Sequence, residues 1–363
     1  MANELEPSQS VMEGKGSYNK YAKLPAGGAD LALPLWETAV QNADIEPKDK
    51  PVVIADYGSS QGKNSLVPMR VAIKILRHRL GPDHPISVFH IDQPSNDFNT
   101  LFELLDSDPG RYALNDSNVF PGAIGRSFYE RALPPESVHL GWSSYAAVWL
   151  SRVPALIPNH FFSPHSKGAV RAEFDRQGAQ DWELFLSLRA MELHVGGRLV
   201  VVLPALEDDG ASGFENVMEH ANAVLMEMVA DGSIAAEERA RMVLRSHLRR
   251  KSDLLAPFAL DGQFQHLVVE DFVMSRLTDA AWTDYEQDGS KEALATKHAQ
   301  FFRSVFSPAL ASALARVSAG DADALHIFGD RLEAGLKRRM ASQPSAMHSF
   351  VQTIVLAKRP QPA

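Results

Sequence analysis

Cysteine is absent from the 363 residues. Disulfides, thiolate metal sites and thiol nucleophiles are therefore excluded together, which fits a reducing compartment. No apolar run reaches membrane-spanning length; Leu199-Val200-Val201-Val202-Leu203 is strand-sized, against the roughly 20 residues a spanning helix needs. The stretch Met1 to Val11 is polar and acidic, lacks the basic and apolar regions of a signal peptide, and reads as a frayed end. A basic face is missing too: the net charge is −9 and the pI near 5.8, which argues against a nucleic-acid scaffold. The expectations are a cytoplasmic protein with no membrane and no nucleic-acid partner. Internal repeats and low-complexity tracts are likewise missing.

Apolar residues make up 45% and charged residues 22% of the chain, ordinary globular values. Within it, Val52-Val53-Ile54-Ala55 runs into Asp56 and Tyr57, then a loop opens on Gly58 and closes on Gly62. A continuous apolar run is how a fully buried parallel strand reads. Glycines at the turn allow a close backbone approach to a ligand. A second run, Ile86 to Ile91, also ends in an acid, Asp92, followed by Gln93 and Pro94. Ligands of doubly wound sheets lie beyond the carboxyl ends of the strands, where an acid ending the second strand binds ribose hydroxyls. The dinucleotide fingerprint G-x-G-x-x-G and the phosphate loop G-x-x-x-x-G-K-[ST] are both missing. An adenosine-containing ligand without a pyrophosphate fits better, and S-adenosylmethionine is the leading candidate.

Strand-like runs alternate with helical segments from about Val52 to Leu203, the pattern of a parallel α/β sheet. Val119-Phe120 marks a short third strand, Ser137 to Trp142 a fourth and Gly197 to Leu203 a fifth. Between the last two, Gln180 to His194 reads as an amphipathic helix stopped by Gly196-Gly197. The pattern turns helical and Met-rich over Gly213 to Ala256, sheet-like at Phe264 to Met274, helical over Lys291 to Met340, and sheet-like again at Phe350 to Ala357. The expected fold is α/β, with a seven-strand, mostly parallel sheet and a helical cap over the cleft. The expected organisation is a segment 1–30 closing over the cofactor and a core of 31–211 and 258–363. A helical insertion at 278–345 interrupts that core, and 212–257 forms the cap.

Several strings together resemble the SABATH methyltransferases, a family known mostly from plants that methylates small carboxylic acids and, in some members, ring nitrogens of purine alkaloids. They are Ser17-Tyr18, the block Ala55 to Asn64, the block Asp92 to Asn99, Ser127 to Pro134, Ser143-Ser144-Tyr145 with Trp149 to Pro154, and Gly196-Gly197-Arg198. The blocks stand in the family's order and spacing, and weaker similarity extends nearly to the C-terminus. The resemblance implies a Rossmann-like class I methyltransferase fold, S-adenosylmethionine as cofactor, a small aromatic or indolic carboxylic acid as substrate, converted to its methyl ester, and a homodimer. Some relatives carry a magnesium ion, but no ligand spacing here demands one.

Carried over residue by residue, the resemblance implies that Asp56 and Gly58 line the methionine moiety, Asp92 binds the ribose and Gln93 flanks the adenosine. Ser127 and Phe128 would lie against the adenine, Ser143 and Ser144 beneath the cofactor, and Ser17 and Tyr18 over it. Tyr18, Tyr145 and Trp149 fall at acceptor positions, while Met218, Phe302 and Phe350 fall in regions that line the aromatic pocket. Trp149 pairs an apolar ring with an N–H able to donate to a carboxylate.

The chain departs from the pattern near its start. A Gln that pinches the substrate in carboxylate-methylating relatives falls on Pro25, the Ser before it on Ala22, and a His before Ser-Ser on Trp142. Lys20, Tyr21 or Lys23 are candidates for the missing contact. A carboxylate is ionised at neutral pH and needs no general base, so His90, His139 and His165 read as structural or surface groups. The alternatives are an N- or O-methyltransferase acting on a neutral acceptor, a non-catalytic metabolite-binding protein and, more remotely, a nicotinamide dehydrogenase.

Overall fold

The structure is a computed structural model that describes residues 12–14, 16–46 and 51–361. The frayed end expected at Met1 to Val11 lies outside the described residues. The chain opens with α1 (Ser17–Tyr21) and α2 (Lys23–Asn42) and enters the sheet at β1 (Val52–Tyr57). There follow α3 (Leu66–Leu80), β2 (Ile86–Asp92), α4 (Phe98–Ser107), β3 (Val119–Gly125), β4 (Val138–Ser144), α5 (Gly168–Glu192) and β5 (Leu193–Pro204). Helices α6 (Glu215–Ala230), α7 (Ala236–Arg241) and α8 (Lys251–Leu255) precede the hairpin of β6 (Gln263–Phe264) and β7 (Leu267–Arg276). The last elements are α9 (Ala280–Asp288), α10 (Lys291–Ala311), α11 (Ala315–Ser318), α12 (Ala322–Ser342) and β8 (Phe350–Lys358).

The strands form one sheet in the order β3-β2-β1-β4-β5-β8-β7-β6. The first five are parallel to one another, while β8 runs antiparallel to both β5 and β7. The count is eight rather than the seven expected, because β6 pairs two residues against the start of β7 at the sheet edge. Alternate residues of β5 serve different cores. Leu199, Val201 and Leu203 join one cluster with Trp182, Phe185 and Met218, and Val200 and Val202 another with Trp36 and Met69. Burial on both faces explains the unbroken apolar run. Strand order reverses between β1 and β4, which places the ligand cleft of such a sheet at their carboxyl ends.

Two boundaries differ from the sequence reading. The helix before β5 begins at Gly168 rather than Gln180, and β5 starts at Leu193, so Gly196-Gly197 lies inside the strand instead of ending the helix. Gly196 has φ of 85°, and the β4–β5 register shifts between Val138 and Leu140. This is a bulge that a left-handed glycine accommodates. Helix α12 packs against both α6 and α10, and α9 to α12 span residues within 278–345.

Candidate active site

The loop after β1 is held in an unusual backbone conformation. Gly58 has φ of 88°, Ser60 48° and Gly62 85°. Added to Gly58, a Cβ would come within 2.1 Å of the Ala146 Cβ, so this turn requires a glycine on both steric and torsional grounds. The neighbouring strand ties the loop down. The Gly58 N–H donates to the Ile91 carbonyl at 2.8 Å. Ser60 N–H donates to Asp92 Oδ2 at 2.7 Å, and Asn96 Nδ2 donates to the Ser60 carbonyl at 2.8 Å. Gln93 N–H donates to the other Asp92 oxygen at 2.8 Å. Burial pushes the Asp92 carboxyl up to about 6, against the pull of these two backbone donors.

The N-terminal segment is fastened over this loop. Gln61 Nε2 donates to the Glu13 carbonyl at 2.9 Å, and Asn19 Nδ2 donates to the Gln61 carbonyl at 3.2 Å. Glu13 in turn accepts from Ser17 Oγ at 2.7 Å and pairs with Arg303 of α10 at 3.1 Å. Tyr18 is held by a hydrogen bond with Asn64 and is driven to the neutral phenol by burial. The Gln61 and Asn64 positions of the loop motif therefore reach the N-terminal segment.

Beneath these elements lies a cavity of about 1020 Å³ of free space that includes its open mouth. Single-ligand pockets run from about 300 to 1,000 Å³, so the space suits a cofactor with a small acceptor beside it. Its lining includes a polar group, Ser60, Asp92, Gln93 and Asn96, joined by the hydrogen bonds above and accompanied by Gly58 and Phe128. It also includes the apolar residues Trp149, Phe162, Phe214, Met218, Phe301 and Phe306, with ring contacts from Trp149 to Phe306 and from Phe301 to both Phe214 and Phe306. Among the described residues no Lys or Arg lines it.

Of the residues expected from the sequence, Tyr18, Gly58, Asp92, Gln93, Phe128, Ser144, Tyr145, Trp149 and Met218 meet on this cavity. The others are placed elsewhere. Asp56 is 2% exposed and lies behind the wall, accepting from Ser65 Oγ at 2.5 Å and facing His90 Nδ1 at 2.9 Å. Ser143 Oγ is buried and donates to the Tyr57 carbonyl at 2.9 Å. Ser17 is turned to Glu13, and Ser127 Oγ accepts the Tyr129 N–H at 3.1 Å. Phe302 is fully buried against Phe161 and Phe306; successive helix residues point about 100° apart, so its neighbour Phe301 takes the wall. Phe350 begins β8, opposite Arg276. Lys20, Tyr21 and Lys23 are not on the lining, whereas Pro25 is; Lys20 lies over the Tyr21 ring at 4.9 Å. Trp142 packs on Trp36 with ring centroids 5.2 Å apart, a core pair.

The histidines are engaged away from the cavity. His90 is sealed between Asp56 and the Tyr112 hydroxyl at 2.8 Å, and His139 Nδ1 accepts the Val53 N–H at 3.1 Å. His160, His165 and Glu219 bring ligand atoms within 4.8 Å of one another. However, the two rings stack face to face at 4.1 Å, and His160 Nδ1 already accepts the Phe162 N–H at 3.0 Å. That bond places the proton on Nε2, so the ring offers an ion no second lone pair.

Residues 8–359 match the family of S-adenosylmethionine-dependent carboxyl methyltransferases. The chain belongs to this family. It is similar to the methyltransferase FUS9 of Gibberella fujikuroi, 30% identical over 260 residues that make up 70% of this chain and 68% of that protein. It is also similar to the salicylate carboxymethyltransferase of Clarkia breweri, 28% identical over 313 residues, or 82% and 84% of the two chains. The fold matches a solved loganic acid methyltransferase with a TM-score of 0.74 at 22% identity, covering 96% of this chain and 99% of that one. This member of the SABATH group is accordingly an S-adenosylmethionine-dependent carboxyl O-methyltransferase.

The residues present suit that cofactor. The Ser60, Ser144 and Tyr145 hydroxyls are buried without a hydrogen-bond partner among the described residues, and all three residues line the cavity, where a ligand's polar groups would supply one. Tyr145 holds its place at φ of 57°, its N–H bonded to the Val202 carbonyl at 2.8 Å. Such strain in a bulky residue persists where the surroundings fix it, as at ligand sites. Ser60, Asn96, Phe301 and Phe306 were not singled out from the sequence. The first two lie in loops, Phe301 differs from Phe302 in helical phase, and Phe306 sits one turn beyond Phe302 along the same face.

Proposed function

We propose that the acceptor is a small aromatic or indolic acid, converted to its methyl ester beside the aromatic rings of the cavity. The observation that carries this reading is one cavity lined both by a hydrogen-bonded polar group following β1 and β2 and by a cluster of aromatic rings that includes Trp149, Phe301 and Phe306. Asp92 accepts the ribose hydroxyls with the lone pairs that Ser60 and Gln93 leave free. Gln93 flanks the adenosine, and Phe128 offers a face to the adenine. Tyr18 covers the site from the N-terminal segment. Trp149 and Met218 wall the acceptor, with Phe301 and Phe306 beside them.

Bound in this way, S-adenosylmethionine supplies a methyl group on a cationic sulfonium that departs as a neutral thioether. The protein's share is alignment and exclusion of water. The acid arrives ionised, so no side chain has to remove a proton. Holding it in line can contribute about 7–11 kcal/mol. The apolar walls strip water from the attacking oxygen, and the raised Tyr18 and Tyr145 phenols stay neutral donors. Cytoplasmic location and a homodimer rest on the resemblance and the composition alone.

A lining without Lys or Arg also favours a second reading, a neutral acceptor methylated on nitrogen or oxygen. Transfer of labelled methyl to a panel of aromatic, indolic and aliphatic acids, with their neutral analogues alongside, decides between them. Product from acids alone supports the carboxyl acceptor. Product from the analogues overturns it.

A further inference from the structure

A buried carboxylate needs hydrogen-bond donors, and among the described residues no Lys or Arg lines this cavity to provide them. Pro25, which lines the wall there, has neither a side-chain donor nor a backbone N–H. Among the neutral donors on the lining, which include Tyr18, Ser144 and Tyr145, two stand directly opposite each other on paired backbone. Trp149 and Ser246 form an isolated antiparallel bridge between the segments after β4 and before α8. Leu150 N–H donates to the Arg245 carbonyl at 2.8 Å and His247 N–H to the Val148 carbonyl at 2.9 Å. Those bonds flank the pair rather than join it, so it is the close, non-hydrogen-bonded kind, in which the two side chains rise on one face.

Both side chains line the cavity, and both residues are nearly buried, at 8% and 5% exposure. The Ser246 carbonyl is fixed by the Ser163 hydroxyl at 2.9 Å, and the Trp149 carbonyl by the Tyr129 hydroxyl at 2.6 Å. The backbone of each is thus pinned, while the indole N–H and the Ser246 hydroxyl have no partner among the described residues. We infer that Ser246 and Trp149 form a two-donor clamp on the acceptor carboxylate, with Ser246 determining the preference for an acid. This inference rests on the carboxyl-acceptor reading above. It explains how a cavity without Lys or Arg selects an anion: two neutral donors fixed on one bridge are set for two oxygens. A hydrogen bond to a charged group is stronger than one to a neutral group, so the clamp favours the ionised acid over its ester product.

Ser246→Thr and Ser246→Val isolate the hydroxyl at nearly constant shape. With an acid that the unaltered enzyme methylates, Ser246→Val should raise KM about tenfold or more, leave cofactor affinity unchanged, and leave inhibition by the methyl ketone analogue of that acid unchanged. Ser246→Thr should restore most of the loss. Equal KM in the Thr and Val variants overturns the clamp. So does a Val variant that loses the acid and the methyl ketone equally, since that marks a shape effect. An unaltered enzyme that methylates neutral acceptors and no acid overturns the carboxyl reading itself, and the clamp with it. Where Ser246→Val unfolds, the acid-to-ketone affinity ratio of Ser246→Ala gives the same answer.

Discussion

The backbone N–H of Ser60 donates to Asp92 at 2.7 Å, so the acid that ends β2 holds the loop that follows β1. One carboxylate thereby shapes the glycine loop and lines the cavity. Replacing it removes both contributions. Asp92→Ala should weaken S-adenosylmethionine binding about 100-fold, the effect of losing roughly 3 kcal/mol in hydrogen bonds to a charged group. Calorimetric titration checks this, and an affinity within threefold of the parent would refute it.

The same residue sets a pH dependence. Its carboxyl titrates near 6 in the free enzyme because burial disfavours the charge. In the proposed binding mode the ionised form accepts the ribose hydroxyls, so cofactor affinity should be level above about pH 7 and fall as pH drops through 6. Asp92→Ala should abolish that slope. A parent whose affinity is flat from pH 5 to 8 would contradict the assignment.

Trp149 offers a face and an N–H, and two variants separate them. Trp149→Phe should lower kcat/KM for the acid about tenfold while keeping the apolar wall. Trp149→Ala should cost more, with cofactor affinity preserved in both. Parallel losses in cofactor and acceptor binding would make Trp149 a structural residue alone.

The Phe128 loop hangs on a buried ion pair. Arg189 Nε lies 3.0 Å from Glu192 Oε2 with both side chains fully buried, and Arg189 Nη1 donates to the Phe128 carbonyl at 2.9 Å. Glu192 also accepts from the Tyr57 hydroxyl at 2.7 Å and from the Ala132 N–H at 2.6 Å. Leaving a buried charge without its partner costs about 3–5 kcal/mol. Glu192→Ala should lower the denaturation free energy by that amount and weaken cofactor binding through Phe128. A loss under 1 kcal/mol in urea unfolding would show that the loop is held otherwise.

The sheet was readable from the sequence because parallel strands buried on both faces leave continuous apolar runs, as at Val52 to Ala55 and Leu199 to Leu203. The β5 bulge was hidden because Gly196-Gly197 carries the signature of a helix end. The early turns of α5 were hidden as well: Gly168 opens the helix, and Gly178 lies where a Cβ would meet the His247 ring at 2.3 Å. At the site, Asp92 and Ser144, read from strand ends, both line the cavity, since a residue at the carboxyl end of a central strand has few other places to be. Asp56 was misplaced because Ser65 and His90 claim its carboxylate from behind. Ser246 has no local pattern at all; it reaches the cavity through a bridge to a residue 97 positions away (246 − 149).

The place of β8 between β5 and β7 has a consequence for how the chain is made. The five parallel strands are complete once residue 204 has been synthesised, and domains begin to fold during synthesis. The β6–β7 hairpin has to wait. Its route into the sheet is residues 350–358, which emerge after every helix of the insertion. Until then β5 carries an open edge, the kind that invites pairing with another chain. Pairing with β8 is therefore what closes the β5 side of the sheet, and it comes last in chain order.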